Sequence, residues 1–287
     1  MGGRMSKWDP HNRLEEALSA RFGGSAPGKI PSKWERFADV AILPRGSFSE
    51  DFWGADESLW EAIAEALGAK RLGRMGEVSG EYRESGIELL LGGDDWVERT
   101  ENGTKFGYHF TSTMWSRGNV NIRRSIAESV GPGEVVCDLY AGIGYYCLPI
   151  LVHSEALIVH ACEINPESVR SLEWGLRANG VQDRCRVHEG DNKVSTSDLN
   201  GVADRVLLGL LPSSEDGFET AMRVLKDSGG VLHVHGLARA GSYDSWLESV
   251  EANLSALRPG ASLTSRVERV KSYAPHWEHC VLEVIVA

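Results

Sequence analysis

The segment Asp138-Leu-Tyr-Ala-Gly-Ile-Gly144 follows a short apolar run, Val135-Val-Cys137, and a second apolar run closes on Ala161-Cys-Glu163. A strand that ends in glycines lets backbone approach a ligand closely, and an acidic residue at the end of the next strand can accept both hydroxyls of a ribose. An ordinary strand, turn and helix accounts for the same pattern with no ligand at all. Among ligands, a dinucleotide fits poorly. The third small position of that fingerprint is Cys147, and Asp138 would set a carboxylate beside an anionic pyrophosphate. S-adenosylmethionine fits better, because it carries a sulfonium, an ammonium and an adenosine but no phosphate.

From Gly133 onward strands and helices alternate, which predicts a mainly parallel sheet with helices on both faces. Strands are expected at Val135–Leu139 and Leu157–Cys162, with a helix near Ile143–Leu151 between them. The next helix is opened by Asn165 as N-cap, Pro166 at the first helical position and Glu167 in the first turn, with Val169, Leu172 and Leu176 on its buried face. Further strands are predicted at Arg184–His188, Arg205–Leu210 and Val231–His235, and helices at Glu215–Leu225 and Tyr243–Leu257. Two terminal strands, Ser262–Val270 and Cys280–Val286, imply a closing hairpin. The expected fold class is α/β, a Rossmann-like class I methyltransferase-type sheet with a terminal antiparallel hairpin, because dinucleotide enzymes continue instead with another crossover.

A small α+β domain precedes that sheet. Residues 1–30 are Gly-rich with weak periodicity and are expected to be poorly ordered; 31–112 form the small domain and 113–287 the cofactor-binding catalytic domain. Phe37–Leu43 reads as a strand stopped by Pro44. Asp56–Leu67 reads as a helix, with Leu59, Trp60, Ile63 and Leu67 at helical spacing and Gly68 at its end. Ile87–Leu91 and Lys105–Phe110 bracket a turn-rich segment, which suggests a β-hairpin or small sheet.

Composition narrows the class of protein. The 287 residues are 42% hydrophobic and 25% charged, with no apolar stretch near the roughly 18 residues that span a bilayer. The start Met1-Gly-Gly-Arg-Met-Ser-Lys-Trp8 shows no secretory leader, so a cytoplasmic location without membrane association is expected. The scattered cysteines Cys137, Cys147, Cys162, Cys185 and Cys280 read as reduced, buried small hydrophobes, and no Cys-x-x-Cys spacing suggests a metal. A net charge of −11 argues against gripping nucleic acid mainly by electrostatics, although Lys29, Lys33, Arg36 and Arg45 form one local basic cluster and Arg117, Arg123 and Arg124 another.

A third site element, Glu189-Gly-Asp191-Asn192, lies just past the third strand of the sheet. A carboxylate or amide there can accept from an adenine amine, since open sheets bind ligands at the carboxyl ends of their strands; a simple turn uses the same residues. With Asp138 to Tyr145, Ala161 to Pro166, Asp183-Arg-Cys185 and Ala203-Asp-Arg205, these fragments resemble the wybutosine-synthesising aminocarboxypropyltransferases that act on tRNA-Phe. Leu208 to Glu215, His233-Val-His235 and Val270-Lys-Ser-Tyr-Ala-Pro-His276 extend the resemblance. So do Lys33 to Asp39, Glu88 to Gly92 and Met114 to Asn119 upstream.

The resemblance implies transfer of the 3-amino-3-carboxypropyl group of S-adenosylmethionine to C7 of 4-demethylwyosine at position 37 of tRNA-Phe, releasing methylthioadenosine. The related tRNA guanine-37 N1-methyltransferases typically carry Asn-Leu-Pro where this chain has Gly209-Leu-Leu-Pro-Ser-Ser214, a departure that favours aminocarboxypropyl transfer. Methyl transfer, and a non-catalytic tRNA-binding protein on the same fold, are the alternatives. Positions matching the family's cofactor contacts are Ser116, Arg123, Glu163, Asp191 and Asn192; with Asp138, Tyr140, Gly142, Gly144 and Ile164 they form the candidate cofactor-binding set. Ser116 and Arg123 are expected to hold the α-carboxylate and so aim the γ-carbon at the base. Arg123 can equally meet a phosphate or stand exposed on a helix. The proton lost from C7 has no assigned acceptor; His235 and Asp138 are the candidates, with a satisfied strand-end role the simpler account of His235. Of the nine tryptophans, Trp115 is the one placed to stack a base, while Trp60 and Trp174 lie in helix patterns.

Overall fold

The structure is a computed structural model that describes residues 9–54, 56–77, 85–115 and 118–287. The chain divides into two compact units, Met1–Arg99 with Tyr108–Trp115 and Thr100–Gly107 with Ser116–Ala287.

In the first unit, helix α1 (Pro10–Arg21) occupies part of the stretch expected to be irregular. Asp9 caps it by accepting from the His11 N–H, Pro10 is pre-set for the first turn, and Leu14 and Leu18, one turn apart, are fully buried. Two leucines suffice to dock a helix whose remaining surface is polar, and so short a signal leaves little periodicity to read. The single strand expected at Phe37–Leu43 is instead a hairpin. Ala38, at φ 46°, turns β1 (Glu35–Phe37) back on β2 (Val40–Leu43). After the short helix α2 (Glu50–Trp53), α3 (Glu57–Leu67) matches its sequence signals closely: the Asp56 carboxylate accepts from Leu59 N at 2.8 Å, and Gly68 ends the helix at φ 65°. Strands β3 (Arg71–Arg74) and β4 (Glu88–Leu91) complete a four-stranded sheet in the order β1-β2-β3-β4. Its core gathers Leu14, Leu43, Phe48, Trp60, Ile63 and Leu67.

A separate two-stranded ribbon follows, β5 (Trp96–Glu101) and β6 (Thr104–His109), turning at Asn102 and Gly103 with φ of 49° and 81°. Positive φ at both central positions is what an Asn-Gly hairpin turn supplies. The two segments expected to flank one hairpin therefore belong to different sheets.

The second unit is built on seven strands. After α4 (Val120–Ser129) come β7 (Val135–Asp138), α5 (Cys147–His153), β8 (Ile158–Glu163), α6 (Pro166–Asn179), β9 (Cys185–Glu189), α7 (Asn192–Ser195), β10 (Arg205–Leu208), α8 (Phe218–Val224), β11 (Gly230–Arg239), α9 (Asp244–Leu257), β12 (Leu263–Ala274) and β13 (Trp277–Val286). The spatial order is β12-β13-β11-β10-β7-β8-β9, so β12 and β9 are the edges. Strands β9, β8, β7, β10 and β11 are mutually parallel, and β13 runs antiparallel between β11 and β12. All four β10 residues are buried, as expected of a parallel strand covered on both faces. Chain order reverses between β7 and β10, which opens a crevice at their carboxyl ends.

Local chemistry sets the boundaries. Asn165 accepts from Glu167 N at 2.9 Å and Gly180, at φ 68°, ends α6. The expected helix at Ile143 begins only at Cys147, because Gly142 and Gly144, at φ 56° and 94°, hold the chain in turns until then. A Cβ on Gly144 would lie 2.5 Å from Leu148 Cγ and 2.9 Å from Leu172, so its lack of a side chain lets α5 and α6 close on the loop. Leu148, Ile150, Leu151 and Leu172 are wholly buried there, each contributing about 1.5 to 3 kcal/mol of transfer free energy. All five cysteines are buried free thiols.

Candidate functional site

The carboxyl ends of β7 and β8 bring the loop and the two acidic strand ends together. Glu163 Oε2 accepts from Gly142 N at 2.7 Å, and Oε1 accepts from Asn165 N at 2.8 Å. The carboxylate thus fixes the glycine loop to the start of α6, and each oxygen keeps a second lone pair for a ligand hydroxyl. Burial raises its pKa, opposed by those two N–H donors. Beside it Ile164 is 42% exposed, an apolar surface at the lip of the site.

Asp138 is fully buried at the end of β7. Its Oδ1 lies 3.4 Å from Tyr140 N, while Oδ2 has no hydrogen-bond partner among the described residues. Burial, with the neighbouring Glu163 charge, pushes its pKa up to about 7. Tyr140 is half-buried, and burial raises its phenol as well. Past β9, Asp191 caps α7 by accepting from Lys193 N at 2.9 Å and is exposed. Asn192 is buried; its amide donates to Leu139 O at 3.2 Å, and its Oδ1 has no partner among the described residues. Two buried acceptor atoms, Asp138 Oδ2 and Asn192 Oδ1, are therefore left over around one glycine loop, which is the arrangement a cationic or donor-bearing ligand would complete.

Arg123 stands apart from the exposed-helix reading. On α4 it is 1% exposed, its Nη1 donates to Glu101 Oε1 at 2.8 Å, and its guanidinium lies 5.0 Å from the Tyr145 ring. Sequence spacing gave no sign of Glu101, which arrives from the end of β5. Ser116 and Arg117 lie outside the described residues. Tyr146 is buried near Arg123, and burial raises its phenol. Its ring packs 4.9 Å from His235.

His235 is not the satisfied strand-end residue expected. It lies within β11 and is 2% exposed. One ring nitrogen, Nδ1, shares a hydrogen bond with His279 Nε2 at 2.9 Å, and Nε2 has no partner among the described residues. Burial lowers the pKa of both histidines, that of His279 to about 4, so both are neutral at pH 7. His279 escaped the sequence reading because the pair forms only through the β11–β13 register, 44 residues apart. In the first unit Trp115 stacks on Tyr108 at 5.5 Å and 8°, with the Arg99 guanidinium 4.3 Å from its ring, so one face of the tryptophan is already taken.

The sheet order, with its antiparallel strand second from one edge, and the glycine loop joined to an acidic strand end define a Rossmann-like protein of the class I methyltransferase type. Solved structures agree. Pyrococcus horikoshii TYW2, in complex with MeSAdo, is 27% identical with a TM-score of 0.76, covering 96% of this chain and 98% of that one. A complex of aTrm5 with tRNALeu shares the fold at 20% identity and a TM-score of 0.75, covering 100% of this chain and 80% of that one.

The chain belongs to the TRM5/TYW2 methyltransferase family, whose domain model matches residues 97–255, and the TYW2 N-terminal domain matches residues 14–95. The tRNA wybutosine-synthesizing protein 2 homolog of Bos taurus is 35% identical over 329 residues, 95% of this chain and 75% of the relative. The tRNA wybutosine-synthesizing protein 2/3/4 of Arabidopsis thaliana is 40% identical over 263 residues, 89% of this chain. The chain spans about a quarter (26%) of that plant relative's length. Among the described residues no helix is long and apolar enough to cross a membrane.

Proposed function

We propose that this chain transfers the 3-amino-3-carboxypropyl group of S-adenosylmethionine to C7 of 4-demethylwyosine at position 37 of tRNA-Phe. The observation that carries this reading is the pair of family matches along one chain: the transferase domain is shared with N1-methyltransferases, whereas the upstream domain is the TYW2 one.

The site's chemistry suits the co-substrate. Carboxylates at Asp138 and Glu163 favour a cation and disfavour a phosphate, and the glycines leave room for backbone contact. Glu163 would hold the ribose hydroxyls, Asn192 and Asp191 the adenine edge, and Arg123, with Ser116, the α-carboxylate. When bound, S-adenosylmethionine supplies an electrophilic γ-carbon: the bond from sulfur to that carbon breaks, the bond to C7 forms, methylthioadenosine leaves and C7 loses a proton. Which carbon is presented depends on how the methionine arm is held, so Arg123 acts on regiochemistry by orientation. Its fixed partner Glu101 narrows the directions in which the guanidinium can reach. Two buried atoms without a partner among the described residues, Asp138 Oδ2 and, in the tautomer whose Nδ1 donates to His279, His235 Nε2, are the candidates to receive the C7 proton.

Incubation with precursor tRNA-Phe tests the reading. Release of methylthioadenosine is expected; S-adenosylhomocysteine would mean methyl transfer, and neither product a binding protein on the same fold.

A further inference from the structure

The closing hairpin outgrows the rest of the sheet. β10 ends at Leu208, opposite Val234, but its parallel neighbour β11 continues to Arg239. Five further residues at about 3.3 Å each carry the hairpin end roughly 16 Å past the carboxyl edge that holds the glycine loop.

That end is built, not frayed. The chain turns at Pro275 and His276, the latter at φ 66°, and Ala240 N donates to His276 O at 3.1 Å. Glu278, 9% exposed, accepts from both Tyr243 OH and Arg269 Nε. On this frame residues 272–277 are all exposed, and they include Tyr273 at 46% and Trp277 at 41%. Arg239 places its guanidinium 6.0 Å from the Trp277 ring, whereas Lys271, opposite His279 in the β12–β13 ladder, is partly buried. Arg269 is paired with Glu278, which leaves Arg239 as the exposed cation beside Trp277, whereas the whole chain carries −11.

Exposed aromatic rings beside a cation, on a surface otherwise of small and polar residues, suit flat partners that carry negative charge. We propose that this hairpin end binds unpaired nucleotides of the acceptor RNA, stacking bases on Trp277 and Tyr273 while Arg239 meets a phosphate. The assignment rests on the reading that the acceptor is an RNA. It also answers how an acidic chain holds one: base stacking needs no net positive charge.

The test titrates a fluorescein-labelled anticodon stem-loop of tRNA-Phe against the full chain by anisotropy, with S-adenosylmethionine affinity followed by calorimetry. Trp277→Ala is expected to raise the RNA dissociation constant about tenfold, Tyr273→Ala somewhat less, and Trp277→Phe less than threefold because its ring still stacks. S-adenosylmethionine affinity stays unchanged in all three. Arg239→Gln should flatten the slope of log Kd against log salt by about one. RNA affinities within twofold of the parent for both alanine variants, an equal loss in Trp277→Phe, or an unchanged salt slope would overturn the assignment. A parent chain that releases methylthioadenosine while its hairpin variants bind RNA normally loses only the hairpin assignment; a parent that releases none loses the reaction.

Discussion

Arg205 at the amino end of the seven strands and the residues around the crevice at their carboxyl end treat buried polar atoms in opposite ways. At the amino end Arg205, 4% exposed, donates from Nε to Glu134 Oε2 at 2.8 Å and from Nη2 to Glu134 Oε1 at 3.2 Å and Ser129 O at 3.1 Å. Its Nη1 donates to Ser129 Oγ at 3.4 Å and His233 Nε2 at 2.6 Å, so every N–H of the guanidinium is used. At the carboxyl end Asp138, Asn192 and His235 each keep a buried atom with no partner among the described residues. His233 and His235 stand two residues apart on one strand, on the same face, with opposite accounts. An unpaired buried polar atom costs about 1 to 3 kcal/mol, so several around one crevice mark the place where something else completes the structure.

The contrast can be broken first at its closed end. Arg205→Met should cost about 3 kcal/mol in urea unfolding, because it strands Glu134 and His233, and leave S-adenosylmethionine affinity intact. A loss under about 1 kcal/mol would erase the distinction. At the open end, Glu163→Ala should raise the S-adenosylmethionine dissociation constant about a hundredfold, near 2.7 kcal/mol, by calorimetry; unchanged affinity removes Glu163 from the site.

Acid sharpens the comparison, because the two ends answer it with opposite signs. His233 is held to about 3 by burial and by Arg205, below the ordinary 6.5, so its contribution is complete above 6.5 and is lost as pH falls toward 3. Asp138 sits at about 7 in the fold against 3.8 ordinarily, so it penalises the fold at high pH and relieves that penalty as pH falls from 7 toward 3.8. Between pH 7 and 5 each effect amounts to about 2 kcal/mol. Denaturation at both pH values should show His233→Gln more acid-tolerant than the parent and Asp138→Asn less so; parallel curves would refute the assigned states. The smallest effect is expected at His235→Leu: at least a tenfold drop in methylthioadenosine release, about 1.4 kcal/mol, with stability changed by no more than that. A large loss of stability with turnover kept would make His235 a twin of His233.

Much of this was readable from local chemistry. The glycine loop, the Glu163 strand end, the Asn165-Pro166 opening of α6 and the Asp56 to Gly68 bounds of α3 each depend on residues close in sequence, and the closing hairpin follows from two strands and a turn. Other features depend on distant approach. Glu101 meets Arg123 from a ribbon, His279 meets His235 only through strand register, and Arg205 gathers partners from α4, the turn before β7, and β11. The split of Phe37–Leu43 turned on one alanine at positive φ, a conformation that alanine rarely signals. Helix α1 was missed because two leucines carry its burial.

The outer strands, β12 and β9, bear on how these molecules behave at high concentration. A bare rim of unsatisfied N–H and C=O groups invites a neighbour to add a strand, and both edge strands here carry charged side chains: Arg266, Glu268, Arg269 and Lys271 on one, Arg186 and Glu189 on the other. A copy arriving parallel and in register would set like charges against each other, which disfavours that addition.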